Sequence, residues 1–264
     1  MRKKTILLTG CRGGFGKDTA VVLAKRGHRV IATTHFENSA EGLRKFFAEN
    51  KLSIEVFKLD VTVPEDRAKI AEYDLDVLVN NAGAGESGSL AEVPLDKVRN
   101  DFEVNVFGSL ALSQIALKKM MGRDKGTVVF VSSLAGRVAE PFLGSYCMTK
   151  FALSAGGEAM RQEIHKVRKN VHIALIEPGA YHTGFNQKNI AKKYAWMDEN
   201  SYFYNMIDGL KRRENAYFGR YEMLSNASIV RKIVKACEAD RPKLRYSAPW
   251  WQHAGIQIMR IFGK

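Results

Sequence analysis

Two groups of residues in this sequence have types and spacings that can do chemistry. Residues 9–16 read TGCRGGFG, and their glycines fit two patterns at once: Gly10, Gly13 and Gly16 give G-x-x-G-x-x-G, and Gly10, Gly14 and Gly16 give G-x-x-x-G-x-G. Either pattern strips side chains from a turn, so that a pyrophosphate can approach the backbone and the N-terminal end of the next helix. An ordinary flexible turn would also carry these glycines, and the stretch alone does not choose between the spacings. The second group is Tyr146 and Lys150, four apart and therefore on one face of a predicted helix. A free phenol ionises near pH ~10, and a neighbouring ammonium favours the phenolate, which lets a tyrosine exchange a proton with a substrate oxygen. On a solvated helix surface the same pair would do nothing.

Both groups need elements that position them. TILLTG is a short apolar run ending in glycine, and KDTAVVLAKRGHRV follows at once with helical spacing, which reads as strand, tight turn, helix. The rhythm continues through RVIAT, IEVFKLDV, DVLVNNAG, GTVVFVSS and VHIALIEPG, short apolar runs separated by longer helical stretches. It predicts parallel strands joined by crossover helices. Ligands of such sheets bind at the C-terminal ends of the strands. Thr9, Asp60, Asn80, Ser132, Ser133 and Glu177 all close these runs and converge on that edge. Glu177 is assigned no chemistry.

The 264 residues are 45% hydrophobic and 26% charged, with no linker, repeat or low-complexity tract, which predicts one globular domain over 1–264. Cys11, Cys147 and Cys237 are far apart and odd in number, so neither a disulfide framework nor a metal site is expected, and a reducing cytoplasm fits. No apolar run is long enough for a signal peptide or a bilayer span. Net charge is +13, and residues 186–264 hold 15 Lys and Arg against 7 Asp and Glu. That basic last third favours anionic partners, whether a cofactor phosphate, an acidic substrate or a membrane surface, unless it is plain solvated surface.

TGCRGGFG, LDVT, NNAG, NVFG, VSSLAG, YCMTK and EPGAYHT, in this order from residue 5 to about 185, together resemble the short-chain dehydrogenase/reductase family. The resemblance implies an α/β fold, a Rossmann-type doubly wound parallel sheet in three layers, and NAD(P)-dependent exchange of a hydride with an alcohol or ketone. NNAG, and Ser133 lying thirteen residues before Tyr146, resemble the single-domain reductases of that family. This selects Gly10, Gly14 and Gly16 as the working glycines and leaves Gly13 incidental. By the same resemblance Tyr146 is the acid/base, Lys150 lowers its pKa and holds the nicotinamide ribose, and Ser133 orients the substrate oxygen. Asn105 would support a lysine-bound water in a proton relay. The cofactor would touch Gly10, Arg12, Gly14, Phe15 and Gly16 in the first turn and Asp60 at the adenine. Asn81, Ala82 and Gly83 would lie beside the adenosine ribose, and Pro178, Gly179 and Thr183 around the nicotinamide. No metal is implied; a homodimer or homotetramer is, through helices near residues 100–120 and 146–168.

NAD-dependent enzymes of this fold place an acidic residue at the end of the second strand. RVIATTHFEN offers Thr34 and His35 there, and no carboxylate until Glu37. NADP is the expected cofactor, its phosphate near Arg12 and His35, and NAD is the alternative. Residues 181–225 correspond to the family's substrate lid and are rich in aromatics, among them Phe185, Tyr194, Trp196, Phe203 and Tyr221. Aromatics there imply a sizeable apolar carbonyl or alcohol such as a steroid, a retinoid or a long-chain compound, and no nucleic acid; packing of helices onto the sheet is the plainer explanation. EPGAYHTGF is similar to the steroid- and retinol-dehydrogenase-like branch. A catalytically idle NAD(P)-sensing regulator and a nucleotide-sugar epimerase, the latter on the Gly10/Gly13/Gly16 spacing, are the alternatives. In the tail, 247–264, Gly255, Ile258, Met259 and Phe262 fall on one face from Trp251 onward, with Ile256 and Ile261 off it. That tail is expected to pack on the lid or a neighbouring subunit, with weak peripheral contact to an anionic membrane as the hypothesis to test.

Overall fold

The structure, a computed structural model, describes residues 2–263. Six apolar runs form strands: β1 (Thr5–Leu8), β2 (Arg29–Thr34), β3 (Ile54–Lys58), β4 (Val77–Asn80), β5 (Gly126–Val131) and β6 (Val171–Pro178). The helices between them are α1 (Gly14–Lys25), α2 (Glu37–Glu49), the short α3 (Pro64–Ala68), α4 (Leu95–Phe102), α5 (Ser109–Gly122) and α6 (Gly144–Lys166). After β6 come α7 (Phe185–Trp196) and α8 (Ile207–Tyr221), in the segment expected to be a lid, then α9 (Ala227–Glu238), β7 (Arg245–Ala248) and α10 (Trp250–Ile261). The strands form one parallel sheet in the order β3-β2-β1-β4-β5-β6-β7. It has the parallel strands that the rhythm predicts, in the Rossmann-type doubly wound order that the family resemblance implies.

Alternation along each strand builds the three layers. Ile6 and Leu8 of β1, Val77 and Val79 of β4 and Val129 of β5 face one side, where Leu23, Leu43 and Ile233 of α1, α2 and α9 cover them. Leu7, Leu78, Val128 and Phe130 face the other, under Leu112 and Met120 of α5 and Leu153 of α6. With both faces dry, the strands read as unbroken apolar runs. Each such aliphatic side chain contributes roughly 1.5–3 kcal/mol on burial. The chain runs outward from β1 to β2 and β3, then returns to β4 on the other side of β1. In sheets of this kind the loops part at this reversal, and a ligand crevice is expected at the C-terminal edge.

β7 is the element the sequence reading passes over. RYSA offers only Tyr246 and Ala248 to the core, and its strand state comes from pairing with β6, from Leu175 opposite Arg245 to Pro178 opposite Ala248. The tail expected from residue 247 therefore begins inside a strand, and its helix starts at Trp250.

Candidate active site

The glycine turn joins β1 to α1. Gly10 and Gly14 have φ of +70° and +55°, the left-handed region that favours glycine. A Cβ on Gly10 would lie 2.7 Å from Ala82 Cα; on Gly16 it would lie 2.7 Å from Asn81 Nδ2 and 2.8 Å from the Gly10 carbonyl oxygen. At Gly13 it would meet nothing within 4 Å. The demand for glycine thus falls on Gly10, Gly14 and Gly16. The first turn of α1 has no acidic residue and no side-chain cap, which leaves its N–H groups and positive end for a phosphate. Thr9 Oγ1 accepts from the N–H groups of Asn81 (3.0 Å) and Ala82 (2.9 Å), and Asn81 Nδ2 donates to the carbonyls of Thr9 (2.9 Å) and Gly10 (3.1 Å). These bonds lock the glycine turn to the Asn81–Ala82–Gly83 turn. Phe15 packs edge-on against Tyr181, and Thr183 sits 3.2 Å from where a Gly14 Cβ would be, so the turn after β6 closes over the cradle. Burial pushes the Cys11 thiol up to about 12, leaving it an inert part of the core.

Tyr146 and Lys150 occupy the first two turns of α6. Lys150 is 4% exposed, its Nζ donates to the Val131 carbonyl at 3.0 Å, and it lies 5.4 Å from the centre of the Tyr146 ring. Burial lowers the Lys150 pKa to about 8. Burial also raises the Tyr146 phenol above its ordinary range, with the Ser133 side chain acting in the opposite direction. In the chain alone, then, desolvation drives both groups towards their neutral forms. Ser133 Oγ accepts the Ala135 N–H at 3.1 Å and donates to the Pro178 carbonyl at 3.5 Å, which ties the end of β5 to the end of β6.

Asn105 lies in a π-helical turn, Glu103–Gly108, between α4 and α5, a departure from regular helix often found at functional sites. Its side chain is fully buried. Oδ1 accepts the Ala84 N–H at 2.9 Å, and Nδ2 donates to the Ala84 carbonyl (2.8 Å) and Thr149 Oγ1 (2.9 Å). Asn105 Oδ1 and Lys150 Nζ lie 3.4 and 3.9 Å from where a Gly83 Cβ would sit, so the bare glycine exposes both to one spot.

At the far end of the crevice, Asp60 Oδ1 accepts from Thr62 N–H (2.9 Å) and O–H (2.7 Å), while Oδ2 pairs with His35 Nε2 at 2.8 Å. Burial opposes ionisation here, but these partners outweigh it and hold the carboxyl below its ordinary range. Thr34 departs from its expected place facing a ribose: it is buried and donates to the Phe36 carbonyl at 3.0 Å. The exposed residue at this end is His35, one position beyond β2 and stacked on Phe36. Arg12 is exposed and has no ion-pair partner among the described residues.

The residues that close the strands reach one edge but separate there. Asn80 donates to Ser113 Oγ at 2.9 Å and Ser132 to the Lys150 carbonyl at 3.1 Å, both inside the helix layer. Glu177, given no role from sequence, is fully buried and accepts from Arg245 and, at 2.9 Å, from Ser247 Oγ, with Arg137 Nη1 at 3.8 Å. Arg245 also pairs with Glu158 of α6, so two carboxylates sharing one arginine join the turn after Ser133, β6, β7 and the helix of Tyr146. Gln252 of α10 is a second hub that sequence reasoning missed. Its Oε1 accepts the Ala180 N–H at 2.8 Å and leaves no room for a Cβ on Gly179, and its Nε2 donates to the Tyr221 carbonyl at 2.8 Å.

Helix α7 lies across residues 84–88. Phe185 stands 5.6 Å from the Tyr146 ring, Trp196 packs onto Gly88, and Trp196 Nε1 donates to Glu86 Oε1 at 3.3 Å. The lid aromatics divide: Phe185, Tyr194, Trp196 and Phe203 are half-buried, whereas Tyr202, Tyr204, Tyr217 and Tyr221 are exposed.

Comparison with known proteins agrees with this geometry. The family profile described as short chain dehydrogenase matches residues 4–194. The chain is 37% identical over 190 residues to the uncharacterized oxidoreductase YusZ of Bacillus subtilis, covering 69% of this chain and 67% of that protein. It is 31% identical over 255 residues to retinol dehydrogenase 8 of Homo sapiens, covering 92% and 80%. A solved short-chain dehydrogenase from Streptomyces avermitilis superposes with a TM-score of 0.80 at 25% identity, covering 98% of this chain and 93% of that one. With its glycine turn, its Tyr146–Lys150 helix and its parallel sheet, the chain belongs to the short-chain dehydrogenase/reductase family, in the branch of the steroid and retinol dehydrogenases.

Proposed function

We propose that the chain is an NADP-preferring oxidoreductase that interconverts an apolar alcohol and its carbonyl form. The observation that carries this reading is the half-buried Tyr146 set beside the buried Lys150, next to Ser133 and beneath Phe185, at the end of a cradle lined by Gly10, Gly14 and Gly16. When bound, the nicotinamide supplies or accepts the hydride. The cradle at Gly10, Gly14 and Gly16 fits a pyrophosphate, with Phe15 and Thr183 closing it and Asn81, Ala82 and Gly83 alongside. Asp60 serves the adenine, and Pro178 and Gly179 the nicotinamide. Exposed Arg12 is the cation that favours a ribose phosphate, with the exposed His35 ring beside it; β2 itself contains no carboxylate to repel one, and the nearby Asp60 is already held by His35 and Thr62.

Ser133 and Tyr146 hydrogen-bond the substrate oxygen and fix it for reaction at the adjacent carbon. Tyr146 gives its proton to that oxygen on reduction and takes it back on oxidation. Lys150 spends one donor on Val131 and has two left for a ribose. Its charge also favours the phenolate once reaction draws the proton away. Asn105, facing the same spot as Lys150 Nζ, positions the water that replaces the proton. Phe185 and Trp196 give the cleft an apolar roof that fits a steroid, retinoid or long-chain carbonyl. Exposed Phe107, Leu110, Met148 and Phe151 lie on the two helical stretches expected to pair, and a homodimer or homotetramer would cover them.

The test is oxidation of NADPH and NADH by the purified chain against a panel of apolar carbonyls, with nucleotide sugars included. The reading expects NADPH to be consumed with apolar carbonyls. Tight cofactor binding without turnover on any of them points to a sensor, and epimerisation of a sugar nucleotide to an epimerase.

A further inference from the structure

Helix α10 has two unlike faces. Its inner face is anchored: Gln252 bridges the Ala180 N–H and the Tyr221 carbonyl, and Ile256 and Met259 are half-buried behind it. Its outer face is apolar and bare, with Trp250 79%, Ile258 56%, Ile261 78% and Phe262 80% exposed. The stripe differs from that read in the sequence, because the anchor turns Met259 inward and Ile261 outward. The bare face extends through Trp251, whose ring lies 6.0 Å from that of Tyr221, to Leu224 just after α8, itself 86% exposed. The helix and the strand before it carry charge of one sign, and the nearest acid in the sequence on the α8 side, Glu222, has its side chain buried and paired with His182. Residues 241–264 contain no Asp or Glu, and neither Arg260 nor Arg220 has an ion-pair partner among the described residues.

We infer that this face seats the protein on an anionic lipid surface. Tryptophan at one end, aliphatic side chains along the stripe and unpaired arginines beside it are the features of a helix lying in the plane of a headgroup layer. No helix among the described residues is long and apolar enough to cross a membrane, so the contact is peripheral. A second copy of the chain fits this face worse. Pairing it with itself would bring unpaired arginines together with no acid in 241–264 to answer them, on a protein of net charge +13. Gln252 joins the seat to the Gly179–Ala180 turn and to the end of lid helix α8, so the lid meets the lipid layer. The use of that placement, admitting an apolar substrate directly from lipid, rests on the function proposed above; the seat itself does not.

Flotation of the full chain tests the inference, with vesicles of phosphatidylcholine alone and of phosphatidylcholine mixed with phosphatidylglycerol. The chain should float with the mixed vesicles, and the double substitution Ile258→Glu, Ile261→Glu should cut recovery by about tenfold. Both positions are exposed, so the core is untouched, and Arg260→Glu gives an independent variant expected to weaken flotation in the same direction. Recovery equal for the chain and the double variant, or absent with anionic vesicles, overturns the inference. So does a lipid-free sedimentation experiment in which the double variant changes the oligomeric state while flotation stays unchanged, since the face is then an interface between copies. Flotation needs neither cofactor nor turnover, so it succeeds or fails separately from the catalytic assignment.

Discussion

The two walls of the cleft are built differently. In the wall made by residues 5–180, polar groups are buried and answered: Thr9 and Asn81 join two turns, Asn105 spends its amide on Ala84 and Thr149, and Glu177 gathers Arg245, Arg137 and Ser247. In the wall made by residues 181–263, large apolar and aromatic side chains such as Tyr202, Leu224 and Trp250 stand in solvent. The first wall holds the groups proposed to react in place before substrate arrives, which is where geometry governs rate. The second has fixed bonds of its own, among them Tyr194 to Glu214 and Asn186 to Glu222, but leaves large apolar surface bare, and in the proposed function it selects what enters.

Breaking the first wall should have the larger consequences. Gly16→Val drives a side chain into Asn81 and the Gly10 carbonyl, and NADPH affinity in a fluorescence titration should fall at least about a hundredfold. Gly13→Ala, in open space, should leave affinity within about twofold by the same principle. Equal losses from the two would undo the assignment of the cradle.

Lys150→Met sharpens the comparison by separating function from stability. The gap between the ordinary 10.5 and the Lys150 value of about 8 corresponds to about 3 kcal/mol. Because the folded-state value is the lower one, the cost of the buried ammonium is present in full below about pH 8 and fades as pH rises to 10.5. The variant should therefore melt several degrees higher at neutral pH and lose turnover, with the melting difference shrinking between pH 8 and 10.5. An unchanged melting temperature would mean that the ammonium is not desolvated.

Arg12→Ala should weaken NADPH binding about tenfold, the worth of one charge-assisted hydrogen bond, and leave NADH within about twofold. Parallel losses for both cofactors would remove the argument for NADP. The smallest effect belongs to the second wall: Phe185→Ala should raise KM about fivefold for a bulky apolar carbonyl, and leave KM for a small water-soluble ketone unchanged. A uniform fall in kcat for both would make Phe185 a support for Tyr146 rather than part of the roof.

Legibility in the sequence followed the range of the constraint. TGCRGGFG and YCMTK were readable because a tight turn or one helix face places its demands on neighbouring residues. The parallel sheet was readable because strands dry on both faces are unbroken apolar runs. The burial of Thr34 left no mark in the sequence, because it comes from a hydroxyl bond to the Phe36 carbonyl just past the end of β2. Glu177 and Gln252 left no local mark, since their partners Arg245 and Ala180 are 68 and 72 residues away. For the same reason β7 had no apolar run: its Arg245 and Ser247 face Glu177, a partner that only the fold supplies.

The central claim is that Tyr146 moves the proton. Tyr146→Phe keeps the ring against Phe185 and beside Lys150 and removes only the hydroxyl. Steady-state reduction of the best apolar carbonyl by this variant, measured alongside its NADPH affinity, is the direct test. The account predicts a loss of about 10²–10⁴-fold in turnover with NADPH affinity held within about twofold. Near-normal turnover by the phenylalanine variant would contradict it.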